Sequence, residues 1–233
     1  LGPFMIVPAT YWLDRFLRES QYRKTALLTG LFISLGVFLS FSRAAWISYF
    51  SVLSLVIGSS LKSSRSWLRV LMLMVVFVLL FNFVAEADLS ILGYDLRLFF
   101  SQRLGLQSYD SDRFRSQQGF IEMLRSNPLF GIGPGNYEVF THYAAHSTVT
   151  RLFGERGLIG FFIFTIVFLL GVKRAYETDK FLSFSLLGIL LNSIFMDTFH
   201  WRHLWLLLAF SFMRIEKEWG ANDYLAEGML TNI

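Results

Sequence analysis

The chain is poor in charge and contains no cysteine. Of its 233 residues, 16% are charged, whereas soluble domains carry about a quarter. The absence of cysteine excludes disulfide bonds and thiolate metal sites within these residues. Only four prolines interrupt a composition that is 54% hydrophobic and includes 26 phenylalanines. The apolar residues come in runs rather than alternating patterns, which is typical of an integral membrane protein.

Seven apolar segments predict an all-α integral membrane protein with a multi-span helical bundle. They lie at about 1–13, 25–42, 44–60, 70–85, 157–172, 181–196 and 203–215. Several are shorter than the roughly 20 residues that cross a bilayer, and they reach that length only with flanking polar and aromatic residues. Because the chain opens with Leu inside an apolar stretch, we expect it to be the C-terminal part of a longer protein that has further spans.

The lysines predict which side of the membrane each connection faces. All five fall in alternate connections: Lys24, Lys62, Lys173, Lys180 and Lys217. The intervening connections, 42–46, 86–156 and 197–203, contain none. Because basic residues gather in cytoplasmic loops, this alternation places the lysine-bearing side in the cytoplasm. The net charge of +4 is therefore interpreted as a sign of topology, and no nucleic-acid partner is expected.

The predicted domain organisation has four parts. They are about four transmembrane helices in 1–85, an extracytoplasmic helical loop at 86–156, about three transmembrane helices in 157–215, and a cytoplasmic tail at 216–233. A loop as long as 86–156 is usually functional, and we expect it to carry the active site.

Within the long loop, residues 111–127 predict an amphipathic helix with Ser111 or Asp112 as its N-cap. Its predicted apolar stripe consists of Phe114, Phe120, Ile121 and Leu124. The glycines and proline of GIGPGNY (131–137) predict a turn-rich loop. A second helix is expected from about 136 to 156.

Three arginines on the lysine-free side are candidates for binding an anion. Arg43 lies at the outer end of a predicted span, where it could bind a substrate anion or lipid phosphates. Arg113 and Arg115 point to different faces of the predicted helix, so only one is expected to face a site. Guanidinium binds phosphate oxygens bidentately, which suits a pyrophosphate ligand. For Arg115, a salt bridge to a neighbouring acid is the favoured alternative.

His146, flanked by Ser147, is the candidate general base. Its ordinary pKa, near 6.5, lets it accept a proton at neutral pH, although a lone histidine is more often structural. His142 lies one turn earlier on the predicted helix and could replace or assist it. No zinc-binding spacing is present, so no metal is expected.

Two acids are secondary candidates near the same membrane boundary. Glu155 is expected to form an i,i+4 pair with Arg151, worth a few tenths of a kcal/mol. Asp197 belongs to a short connection with His200 and Arg202, and this connection could line the same cavity.

Three motifs, in order, resemble those of the O-antigen ligase superfamily. His146-Ser147, nine residues and Gly157-x-x-Gly160 are similar to its signature of His, then Asn, Ser or Gln, nine positions, and Gly-x-x-Gly. Upstream, the family has an arginine fifteen residues before the proline of a P-L-x-G-x-G-P-G loop, matching Arg113 and Pro128. SRAAW (42–46) resembles the family's Ser-Arg-small-x-Trp motif and matches its arginine to Arg43.

The resemblance implies a GT-C-like, inverting glycosyltransferase that uses no metal or other cofactor. It would act at the periplasmic face of the bacterial inner membrane on a glycan carried by undecaprenyl pyrophosphate. Lipid A–core is the acceptor expected first, and a growing glycan or a protein hydroxyl are the alternatives.

In this interpretation His146 removes a proton, while Arg43 and Arg113 bind the pyrophosphate. Gly157 and Gly160 could allow close packing against a neighbouring helix. The competing class is a non-enzymatic transporter component, whose ionisable residues would lie near the bilayer midplane rather than collect outside.

Overall fold

A computed structural model describes residues 2–18, 21–61, 64–86 and 108–213. In this part of the chain, nine helices and no strand are present, so the predicted all-α fold is confirmed there. The helices are α1 (Gly2–Arg18), α2 (Arg23–Leu39), α3 (Arg43–Ser60), α4 (Ser64–Glu86), α5 (Ser108–Ser126), α6 (Tyr137–Thr141), α7 (Thr148–Thr178), α8 (Lys180–Phe195) and α9 (Arg202–Phe212). The predicted tail at 216–233 and the loop residues 87–107 lie outside the described residues.

Helix α7 is the one described helix that is long and apolar enough to cross a membrane by length and composition. Only 17% of its apolar window is buried inside the structure, unlike the core helix of a soluble domain. Shorter apolar helices are Trp67–Leu79, Lys180–Phe195 and Arg202–Phe212. The all-helical architecture is thus observed, whereas the seven-span arrangement stays a prediction.

The described residues contain three apolar clusters: α8 contributes to two of them, and the third consists of Met123, Tyr137 and Ala145. The first joins α1, α2, α3 and α4 with Phe184 of α8, and the second lies between α7, α8 and α9. Helix α8 approaches α3 closely at Gly188, where a Cβ atom would lie 2.2 Å from Val52 Cγ2. Small residues allow such close helix contacts. This packing places the middle of α8 against the middle of α3.

Helix α5 differs from its prediction in both its start and its buried face. It begins at Ser108, about one turn before the expected cap. Phe114 and Ile121 are 54% and 44% exposed, whereas Ser116 and Met123 are fully buried. The predicted apolar stripe is therefore wrong at these two positions. Ser116 contacts Ala144 in the segment before α7, and Met123 lies against Gly154 of α7. These contacts determine which face of α5 is buried, and they are not visible in the local apolar pattern.

The predicted helix from 136 to 156 is also wrong, because two separate helices occupy this range. Helix α6 ends at Thr141, and the left-handed backbone of the next residue, His142 (φ 60°), does not continue the helix. Residues 142–147 are not helical, and α7 starts after Ser147, which acts as its N-cap. His142 and His146 therefore do not lie one turn apart on a common helix.

Candidate functional site

The glycine-rich loop at 128–133 is joined to α7 by backbone hydrogen bonds around Gly157. At Gly157 the backbone of α7 departs from helical geometry (φ 64°, ψ −165°), which divides the helix into two parts. The amide and carbonyl groups released there are available to the loop. The four bonds are Ile132 N to Gly154 O (3.0 Å), Gly133 N to Glu155 O (3.0 Å), Leu158 N to Pro128 O (2.9 Å) and Ile159 N to Leu129 O (3.2 Å).

Two glycines make this close approach possible. A Cβ atom on Gly131 would lie 2.4 Å from the carbonyl carbon of Glu155, and one on Gly157 would lie 2.5 Å from the backbone of Leu129. Both glycines also have positive φ. Gly160 differs, since its added Cβ would meet the side chain of Arg156 in the same helix. The expected close packing therefore applies to Gly157, against a loop rather than a helix.

The backbone on both sides of His146 is held by hydrogen bonds. Before it, Ser116 Oγ of α5 donates to Ala144 O at 2.8 Å. After it, Ser147 Oγ accepts from Thr150 N at 3.4 Å and donates to Ser193 O of α8 at 3.3 Å. His146 itself is partly buried. The predicted base thus lies in a short segment held between α5 and α8.

Helix α8 also contacts the start of α3, where Arg43 lies. Asn192 Nδ2 donates to Ala44 O at 3.2 Å and to Ser48 Oγ at 3.0 Å. Asn192 immediately precedes Ser193, the residue that accepts the bond from Ser147. Ala44, which follows Arg43, and Ser147, which follows His146, therefore both contact the C-terminal end of α8.

The other predicted arginines and the second histidine lie in different surroundings. Arg113 lies in α5, three residues before Ser116, and so one helical turn from the contact with Ala144. Arg115 is exposed on the same helix. His142 is exposed in the left-handed position that ends α6.

Arg151 forms the centre of a buried ionic cluster with three carboxylates. Its Nε lies 2.7 Å from Asp197 Oδ2 and its Nη1 lies 2.8 Å from Glu155 Oε1, while its Nη2 contacts Glu138 Oε1. The Arg151 side chain is only 10% exposed. The predicted pair of Glu155 with Arg151 is confirmed, but it is buried and shared with two further acids.

Local sequence spacing did not reveal this cluster. Glu138 and Asp197 lie 13 and 46 positions from Arg151, outside any helical repeat. The one local signal was the i,i+4 spacing of Glu155. Among the described residues, no group of three or more His, Asp or Glu side chains could hold a metal ion.

The electrostatics of Glu138 are set by Arg151. Burial acts to raise the pKa of the Glu138 carboxyl, but hydrogen bonds from Arg151 and from the backbone, together with the guanidinium charge, lower it overall. Glu138 is therefore ionised when α6 is in place, and the ion pair ties α6 to α7.

Asp197 contacts the first turn of α7 as well as Arg151. Its Oδ1 accepts from Thr148 Oγ1 at 3.4 Å and from Phe199 N at 3.1 Å. His200 Nε2 lies 3.6 Å from Asp197 Oδ2, and the His200 side chain is 68% exposed. Of the secondary candidates, Asp197 and Glu155 thus meet at Arg151, whereas Arg115 and His142 lie at exposed positions.

A cavity of about 770 Å³ lies elsewhere, between α3, α7 and α8. Its lining includes Ser59, Lys173 and Phe184, and is mostly apolar. Lys173 belongs to the end of α7 remote from His146, so this cavity is separate from the candidate site.

The described residues thus form an all-helical protein with one helix of membrane-spanning length and composition. A family model described as O-antigen ligase matches residues 28–165, more than half of the chain. The chain belongs to the O-antigen ligase family. Members of this family are bacterial ligases and polymerases with glycosyltransferase-like activity. The match includes Arg43, Arg113 and His146, but not Asp197. No curated protein matches the chain.

Proposed function

We propose that the chain forms part of a membrane glycosyltransferase of the O-antigen ligase type. It transfers a glycan from undecaprenyl pyrophosphate to an acceptor hydroxyl, with inversion at the anomeric carbon and without a metal. The first acceptor to consider is lipid A–core, which makes the protein an enzyme of lipopolysaccharide biosynthesis. The supporting observation is that α5 and α8 hold the His146 segment from two sides, while α8 also contacts the residue after Arg43.

In the proposed step, the acceptor oxygen attacks the anomeric carbon as His146 removes the hydroxyl proton. The bond from the anomeric carbon to the pyrophosphate oxygen breaks, and the lipid pyrophosphate leaves with the bonding electrons. General-base catalysis of this kind contributes about 10²–10⁴ in rate. Arg43 and Arg113 bind the leaving pyrophosphate, and losing one such charge donor costs on the order of 10²–10³.

The proposed location is the bacterial inner membrane, crossed several times, with His146 on the periplasmic side. Large apolar side chains on three helices support an environment of lipid: Phe32 of α2 is 78% exposed, Leu79 of α4 is 62% exposed and Ile163 of α7 is 58% exposed. Extensive exposed apolar surface on a soluble monomer is unusual. His146 precedes the apolar part of α7, so the hydroxyl and the lipid-borne pyrophosphate would meet at the membrane surface.

Two acceptors other than lipid A–core suit the same chemistry. A growing glycan would make the protein an O-antigen or exopolysaccharide polymerase, and a protein hydroxyl would make it an O-oligosaccharyltransferase. Deleting the gene distinguishes the three, because lipid A–core, polymer length or a protein would lose its glycan.

The principal experiment replaces His146 with Ala in the full-length protein and measures glycan transfer in membranes. Transfer should fall by about 10²–10⁴, because the base is removed, while the amount of protein in the membrane stays unchanged. His142→Ala is the matched comparison and should keep most of the transfer, since His142 lies at an exposed position at the end of α6. Normal transfer by His146→Ala would show that His146 is not the base. If His142→Ala were the inactive variant, the base would be His142.

The transporter alternative predicts a different result. A non-enzymatic component would move the lipid-linked glycan without joining it to an acceptor. Purified protein, donor and acceptor in detergent separate the two, because only a transferase forms the linked product without a membrane to cross.

A further inference from the structure

We propose that Arg151 is a positioning residue that holds His146 in place for proton transfer. The inference rests on the proposed function of His146 and adds a residue whose side chain does not itself touch the substrate. It follows from the way in which the carboxylates bound to Arg151 are connected to the chain on either side of His146.

The three carboxylates come from separate segments of the structure. Glu138 belongs to α6, Glu155 to α7 itself and Asp197 to the connection between α8 and α9. Each is bound by a different nitrogen of the same guanidinium group. Arg151 therefore fixes α6 and the end of α8 relative to the first turns of α7.

Two of these carboxylates also bind the chain close to His146. Glu138 Oε1 accepts from Ala145 N, the residue before His146, at 3.4 Å. Asp197 Oδ1 accepts from the hydroxyl of Thr148, two residues after His146, at 3.4 Å. In addition, the backbone amide of Arg151 donates to Ser147 O at 3.0 Å. The guanidinium is thus connected to the backbone on both sides of the predicted base.

The chemistry of guanidinium suits this arrangement. Its five N–H donors lie in one rigid plane, whereas a lysine ammonium is a single charge on a flexible stem. A lysine at 151 would keep the positive charge, but its three N–H donors share one nitrogen atom and could not replace bonds made by three separate nitrogens. A displacement of about 1 Å at a reacting group can lower a rate by roughly 10²-fold.

The first test compares Arg151→Lys with the wild type in the full-length protein. We expect kcat for glycan transfer to fall by about 10-fold to 10²-fold, with little change in KM for the lipid-linked donor. Glu138→Gln and Asp197→Asn keep the side-chain shapes and should each lower kcat in the same direction. The melting temperature and the amount of protein in the membrane are measured in parallel.

Arg18→Lys provides a matched control. Arg18 forms an i,i+4 pair with Asp14, its Nε lying 2.5 Å from Asp14 Oδ1, and it has no described contact with the His146 segment. This substitution should leave kcat unchanged. A wild-type kcat for Arg151→Lys, or a loss of activity that only follows a loss of folded protein, would overturn the proposal.

A second test combines Arg151→Lys with His146→Ala. If Arg151 acts through His146, the double variant should retain the residual rate of His146→Ala, because there is no imidazole left to position. An equal fold-loss in both backgrounds would mean that Arg151 acts independently of His146. If the residual rate is too small to measure, the separation of kcat from KM decides the question alone. A fully active His146→Ala would instead reject the proposed base, whatever Arg151→Lys does.

Discussion

Gly157 shows how one residue permits the contact between a loop and a helix. Its backbone lies in a region that is accessible essentially only to glycine, and its α-carbon faces the backbone of Leu129. A side chain there would meet both a conformational and a steric obstacle. The first glycine of the Gly-x-x-Gly motif therefore has a structural role that the spacing of the motif alone does not reveal.

Replacing Gly157 with Ala should destabilise the protein. The backbone conformation alone costs about 1–3 kcal/mol for a residue with a side chain, and the overlap with Leu129 adds to it. Thermal unfolding of the purified protein in detergent measures the effect. Gly58→Ala is the control, because Gly58 lies in α3 with no atom within 4 Å of its added Cβ. Equal melting temperatures for the two variants would contradict this account of Gly157.

Ser147 combines two roles at the residue that follows the predicted base. It caps α7 through Thr150 N and contacts α8 through Ser193 O. Serine is a preferred N-cap residue, so this side chain stabilises the start of α7 as well as its contact with α8.

At the scale of secondary structure, the segment between α6 and α7 depends on ion pairs as well as backbone bonds. Glu138 is the exposed member of the cluster, with 42% of its side chain accessible, whereas Glu155 is 6% exposed. Solvent screening therefore limits the contribution of the Glu138 pair to stability.

The contribution of Glu138 should depend on pH. Its pKa in the folded protein lies below its ordinary value of 4.5, so the unfolded chain binds the proton more readily. The stabilisation is complete above about pH 4.5 and is lost as pH falls through the lower pKa of the folded state. The difference in melting temperature between wild type and Glu138→Gln should therefore be largest above pH 4.5 and shrink below it. A constant difference for Glu138→Gln would disprove the linkage.

At the scale of the whole molecule, the arrangement of the helices predicts that the two ends of α7 face opposite sides of the membrane. His146 precedes the helix, whereas Lys173 lies near its end and Lys180 follows it at the start of α8. If α7 spans the membrane after Gly157, these groups face different compartments. The absence of cysteine makes this testable with single introduced thiols.

Val139→Cys and Lys180→Cys form the pair for that measurement. Both positions are exposed, and Val139 is 71% accessible in α6. In spheroplasts, a membrane-impermeant maleimide should label Cys at 139 directly and Cys at 180 only after the membrane is permeabilised. Labelling of both in intact spheroplasts, or the reverse order, would contradict the predicted topology.

The sequence predicted the helices better than it predicted their contacts. Each of the seven apolar segments overlaps a described helix, because runs of apolar residues reflect a local requirement for burial or lipid contact. The positive φ of Gly131, Gly133 and Gly135 confirms the turn-rich loop. Two features were mispredicted: the helix boundary at His142 and the buried face of α5. Both depend on contacts with α7 and with residues 144–147, and such contacts leave no trace in the local periodicity of the sequence.

By itself, the sequence determined the helical class, the apolar α7 and membership of the O-antigen ligase family, since each depends on residues close together in the chain. Only the tertiary structure decided that Glu138, Glu155 and Asp197 share the guanidinium of Arg151, and that α8 contacts the neighbours of both Arg43 and His146. The physical reason is that ion pairs and hydrogen bonds between residues far apart in sequence form only when the helices pack.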